Sequence, residues 1–151
     1  MAQGSAQWTE SNQVNKESMA IILDADVIIR GERGSFDLSR WFAANADEEF
    51  EVVAITVAEL WHGVERATAA HRIKRERYLT ALLGGLPVIP YTALTALRHA
   101  RLWASLEQSG KMIGSYDLIL AATALERGST IATFNERHFS PIRGLRIVVP
   151  K

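Results

Sequence analysis

The stretch Ile21-Ile22-Leu23-Asp24-Ala25-Asp26-Val27-Ile28-Ile29 decides how this chain is read. Consecutive aliphatic residues have the composition of a strand buried on both faces. Asp24 falls where such a strand ends. Asp26 lies two residues on, so an extended chain would turn it to the same side as Asp24. An acid inside so apolar a run is partly desolvated and needs a partner.

Working outward, short Ile, Val and Leu runs recur at Ala20–Asp24, Glu51–Thr56, Leu86–Pro90, Thr130–Phe134 and Leu145–Val149, which predicts five strands. Between them the spacing predicts helices over Phe36–Asn45, Val57–Ala67, His71–Leu83, Ala93–Gln108 and Leu118–Arg127. Leu60, Val64 and Ala67 form one expected core stripe, and Ile73, Leu79, Leu82 and Leu83 are the apolar positions of the next helix. Gly128 is placed to close the Ala/Leu-rich helix. Strand–helix alternation of this kind predicts an α/β fold, with about five parallel strands in a three-layer α/β/α sandwich.

The chain has 151 residues, 48% of them hydrophobic, which suffices for one domain and not two. Residues 1–18 are polar and aperiodic and read as a disordered N-terminal arm, with Trp8 the one residue able to anchor it. The folded unit is expected over 19–151, and Met19 is an alternative start. No cysteine is present, so neither disulfides nor thiolate ligation contribute. No apolar run approaches the roughly 20 residues that span a bilayer, and the opening segment lacks a signal-type core, so a cytoplasmic protein without membrane contact is expected. The 17 basic and 17 acidic side chains cancel, which speaks against a protein that chiefly coats nucleic acid. It leaves room for an enzyme acting on nucleic acid, because an acidic site offsets a basic substrate path.

In parallel sheets ligands bind beyond the carboxyl ends of the strands. Asp24 and Asp26 follow the first strand, Glu59 follows the second in the first turn of its helix, and Asp117 opens the Ala/Leu helix. Clustered carboxylates repel one another unless a cation neutralises them. Oxygen donors without Cys or His favour Mg²⁺ or Mn²⁺, which pair with substrate phosphates. One such ion activates a water, and a second steadies the departing oxygen at phosphorus.

Each acid singly also reads as a cap, a turn residue or a helix-dipole partner. The inference rests on the set. Ser115, Thr133 and Asn135 are candidates to hold water or phosphate around the acids, and equally to cap helices. Arg66, Arg72 and Arg75, in a basic run with His71, Lys74 and Arg77, could follow a phosphate backbone or form a solvated face. Gly63, on the same helix face as Glu59, admits either a substrate or a packed backbone. His62 and His138 lie nearest the acids without ligand spacing, and no role follows for them.

The segments IILDADVII, TVAELWHGVERA, IGSYDLILAATALERG and IATFNERHF, in that order, resemble the PIN-domain ribonucleases, and among them the VapC toxins of bacterial toxin–antitoxin pairs. The resemblance runs from about Met19 to Pro150. It implies that Asp24, Glu59 and Asp117 are the catalytic, metal-binding acids. It further implies Mg²⁺- or Mn²⁺-dependent RNA cleavage leaving a 3′-hydroxyl and a 5′-phosphate. The implied partners are RNA, a VapB-like antitoxin occupying the active-site groove, and a second copy in a homodimer, or a heteromer with the antitoxin. Two positions depart from the pattern. Asn135 stands where the family often has Asp, and Asp26 where it commonly has Asn or Ser.

Asp24-Ala25-Asp26-Val27 also resembles the first motif of haloacid-dehalogenase-type phosphatases, with Asp24 as nucleophile and Asp26 as general acid. That pattern needs a downstream Lys and a second acidic pair, whereas Asp117 stands alone and Lys111 lacks the expected surroundings. A catalytically degenerate PIN-like binding module is the remaining alternative.

Overall fold

Asp24 ends one element and begins the next. Its Oδ1 accepts the Ala25 amide at 2.8 Å, so strand β1 (Ile21–Leu23) gives way at once to helix α1 (Ala25–Arg33). The expected extended course from Asp24 to Asp26 is therefore corrected: Asp26 sits in the first turn of α1, and Val27 and Ile28 are buried helix residues. A short aliphatic run carries no periodicity that separates strand from helix, and the capping acid decides.

The computed structural model describes residues 20–151, so the expected arm over 1–18 lies outside the described residues. The elements that follow are α2 (Leu38–Ala44), β2 (Phe50–Val53), α3 (Ala54–Glu65), α4 (Ala69–Leu83), β3 (Val88–Ile89), α5 (Ala93–Ser109), α6 (Ser115–Arg127), β4 (Thr130–Ala132), α7 (Glu136–Phe139) and β5 (Arg146–Val148). All five expected strands are present, each shorter than expected. The second departs most in character: Ala54, Ile55 and Thr56 form the first turn of α3 rather than the end of β2. The β-branched Ile55 and Thr56 yield to packing, with Thr56 fully buried. Helices α1 and α7 were not expected at all.

The strands lie in the order β3-β2-β1-β4-β5, every neighbouring pair parallel. Ile22 faces Glu51 on one side and Ile131 on the other. Alternation along β1 sends its side chains to opposite faces. Ile21 and Leu23 pack with Val27, Ile28, Leu38, Trp41, Leu60, Val64 and Leu79 from α1 to α4. Ile22 packs with Val53, Ile131, Leu106 of α5, Leu118, Leu120, Ala121 and Ala124 of α6, and Phe139. The result is the three-layer α/β/α sandwich expected. Ile73 is the exception to its stripe, 60% exposed because the first half of α4 runs out past the core. Gly128 closes α6 at a φ of 65°, a conformation that costs other residues a Cβ clash. Among the described residues no helix is long and apolar enough to cross a membrane.

Candidate active site

The strand order reverses between β1 and β4, and connections leave the two strands toward opposite sides there. Asp24 stands at that switch point, 7% exposed, at the end of a central strand. Thr133, fully buried, follows β4 directly alongside it. The Thr133 hydroxyl lies 2.9 Å from Asp24 Oδ2 and 3.4 Å from Asp26 Oδ2. With a single proton to give, it serves Asp24. The same oxygen accepts the Asn135 amide at 3.0 Å.

Asp26 turns toward the same corner by another route. Its Oδ2 accepts the Phe134 amide at 3.0 Å, while its Oδ1 is buried with no partner among the described residues. Arg30, one turn further along α1, lies 4.1 Å from the Phe134 ring centroid. Asp26 thus ties α1 to the segment after β4. Burial raises its pKa, against the opposing pull of the Phe134 amide and the Arg30 charge.

Glu59 and Asp117 complete the cluster. Glu59 lies in the second turn of α3, since that helix starts at Ala54 rather than Val57. Among the described residues no hydrogen bond reaches its carboxylate. Asp117 is in the first turn of α6, and His138 Nδ1 on α7 lies 3.2 Å from its Oδ2.

The four acids sense one another. Asp24 is pushed up to about 6, first by burial, then by the Asp26 charge, with Asp117 adding and the Thr133 bond opposing. Glu59 is pushed up to about 7 by burial and by the charges of Asp24 and Asp117. Carboxylates at the end of β1, on α3 and on α6 therefore share one electrostatic neighbourhood.

Among the described residues no three Asp, Glu or His side chains are grouped closely enough to hold a metal ion between them. Mg²⁺, however, usually takes one or two carboxylates and keeps several waters. The donor set fits such an ion. It is oxygen-only, its charges are mutually repulsive, and Asp26 Oδ1 is an unpartnered buried oxygen at its edge.

The remaining candidates divide. Ser115 is exposed at the start of α6 and bonds to none of the acids among the described residues. Asn135 is exposed and reaches the site through its backbone rather than its side chain. Beside Glu59 an open groove of about 390 Å³ is lined by His62, Gly63, Arg66 and Arg75. Arg75 is held there, its Nε 3.3 Å from Glu32 Oε1 and its Nη1 donating to the Gly63 carbonyl at 3.4 Å. Arg72 is bound through one nitrogen to both oxygens of Glu65 and does not line the groove. A Cβ at Gly63 would meet nothing within 4 Å, so close helix packing is not why a glycine stands there.

Sequence reasoning placed His138 near the acids without a role for it and missed the Phe134 amide. A lone His before a core Phe has no ligand spacing, and a backbone N–H has no sequence signature.

Fold and site together define a parallel α/β domain with a carboxylate cluster at its switch point. Residues 21–145 match the PIN domain family, and the chain belongs to it. It is 28% identical over 131 residues to ribonuclease VapC1 of Rickettsia felis, a match covering 86% of this chain and 96% of the relative. It is 34% identical over 136 residues to the VapC ribonuclease Y4jK of Sinorhizobium fredii, with the same two coverages, 86% and 96%. Among solved structures, the DNA-bound VapBC complex of Salmonella typhimurium superposes with a TM-score of 0.72 at 28% identity, covering 86% of this chain and 97% of that one. Family membership sets aside the phosphatase reading of Asp24. Lys111 is moreover exposed in the loop between α5 and α6.

Proposed function

We propose that this chain is a divalent-metal-dependent endoribonuclease and the toxin of a VapBC-type toxin–antitoxin pair. The observation that carries the reading is the electrostatic coupling of Asp24, Glu59 and Asp117 at the switch point of a PIN-family sheet. In this reading Asp24 and Asp117 hold Mg²⁺ or Mn²⁺, and Glu59 adds charge beside them. The bound ion would supply Lewis acidity toward a phosphodiester and make a water acidic enough to attack it.

The protein's own groups do the rest. Thr133 fixes the Asp24 carboxylate, and Asp26 anchors the backbone after β4 through Phe134. Glu59, whose carboxylate accepts no hydrogen bond among the described residues, would orient the attacking water beside the ion. Arg66 and Arg75 along the groove meet the RNA backbone, while Arg72 is engaged by Glu65 and contributes less. The partners are a VapB-like antitoxin and a second copy of the chain. A cysteine-free composition suits the reducing cytoplasm.

The test is RNA cleavage by the purified chain with Mn²⁺ or Mg²⁺ and with chelator, alongside Asp24→Asn and Asp117→Asn. Cleavage that needs the metal and both acids is expected. Undiminished cleavage by both variants overturns the site, and a wild type that stays inert with Mn²⁺ or Mg²⁺ added yet still binds an antitoxin favours the degenerate binding module.

A further inference from the structure

We infer that His138 is a positioning residue for Asp117, holding one carboxylate oxygen so that the other stays turned toward a divalent ion. The inference rests on the proposed reading of Asp117 as an ion ligand.

Asp117 is the third residue of α6, the position from which an acid commonly folds back onto the amide before the helix. The residue before this helix is Gly114, which brings no side chain to complete such a box. Left alone, the Asp117 carboxylate could swing between solvent, its own backbone and the cluster. Among the described residues the single group that bonds its side chain is His138 Nδ1, at 3.2 Å from Oδ2. A carboxylate only accepts, so Nδ1 carries the proton and donates.

The fixing group is itself fixed by its neighbours rather than by burial. Phe139, 1% exposed, plugs α7 into the core against α6 residues, and the His138 amide donates to the Asn135 carbonyl at 3.0 Å. The backbone of His138 is therefore held, while its side chain is 60% exposed. A pair this open contributes little to folding. Its distinct consequence is orientation of a carboxylate in the cluster, as groups behind a metal ligand commonly provide. Neither Glu136 nor Arg137 of α7 bonds to Asp117, so among the described residues the link falls to His138 alone.

The experiment is Mn²⁺ titration of the full chain, followed by thermal shift and calorimetry, for wild type, His138→Ala and His138→Asn. The Asn amide retains a donor at the position of Nδ1. Metal-free melting temperatures are expected to agree among all three. The Mn²⁺ midpoint should rise about tenfold in His138→Ala and return toward wild type in His138→Asn. A His138→Ala midpoint equal to wild type overturns the assignment, as does an Asn variant no better than Ala. Wild-type protein that binds Mn²⁺ yet cleaves no RNA would remove the proposed reaction and leave the positioning role standing. Absence of any Mn²⁺ response in wild type overturns both.

Discussion

The Thr133 hydroxyl donates to Asp24 Oδ2 at 2.9 Å across 109 residues of chain, tying the ends of two adjacent parallel strands to one carboxylate. The bond also opposes the burial that lifts the pKa of Asp24. Thr133→Val keeps the shape and removes the donor, leaving a buried carboxylate oxygen short of a partner. We expect a loss of about 1–3 kcal/mol when Asp24 is ionised. Chemical denaturation at about pH 8 and about pH 4 separates the causes, because the loss should shrink once the folded-state acid is protonated. An equal loss at both pH values would trace it to packing instead.

The acidic cluster makes the metal-free protein less stable as pH rises. Asp24 moves from 3.8 to about 6 on folding, and Glu59 from 4.5 to about 7. Both folded-state values are raised, so the folded chain keeps protons that the unfolded chain releases. Their favourable contribution is complete below the unfolded values and is lost as pH climbs through about 4 to 7. Asp24→Asn should accordingly stabilise the metal-free protein by roughly 1–3 kcal/mol at about pH 8 and by little near pH 4. Saturating Mn²⁺ should reverse the order at about pH 8, since it stabilises the wild type alone. A variant less stable than wild type without metal would show that the caps made by Asp24 outweigh its repulsion.

How far the sequence could be read follows from the same residues. Runs such as Ile21–Leu23 and Thr130–Ala132, buried on both faces, announce themselves by composition. Ala121, Ala122 and Ala124 announce a tightly packed helix. Helix α1 stayed hidden because Val27-Ile28-Ile29 has strand composition and its fate hangs on one hydrogen bond from Ala25 to Asp24. The candidate cluster was legible because each of its acids follows, interrupts or opens an apolar run. Its supports were not. The Phe134 amide, the His138 contact and the Glu32 hold on Arg75 join residues that are distant in sequence and unremarkable alone.

The groove beside Glu59 should discriminate among the arginines. Arg66 is exposed and has no side-chain partner among the described residues, whereas Arg72 is occupied by Glu65. Arg66→Ala, placed in an inactive Asp24→Asn background, should weaken RNA binding more than Arg72→Ala does. A lost phosphate contact lowers the slope of log affinity against log salt by about 0.7 for single strands. Fluorescence anisotropy at several salt concentrations measures it. Equal slopes for both variants would move the RNA path away from this groove.

Gly63 offers a direct test of whether the groove takes substrate. It lies inside α3 with open space where a side chain would go, so neither neighbouring backbone nor a positive φ demands glycine. Gly63→Ala should then stabilise the fold by about 0.5–1 kcal/mol through helix propensity and reduced unfolded-state freedom. Gly63→Phe should likewise leave the fold intact, yet its ring would occupy the groove between Glu59 and Arg66. RNA affinity is expected to fall severalfold in the Phe variant and hardly at all in the Ala variant, with both melting temperatures at or above wild type. If Gly63→Phe binds and cleaves RNA normally, the groove is not the substrate path. If Gly63→Ala is already destabilised, the glycine serves the helix after all.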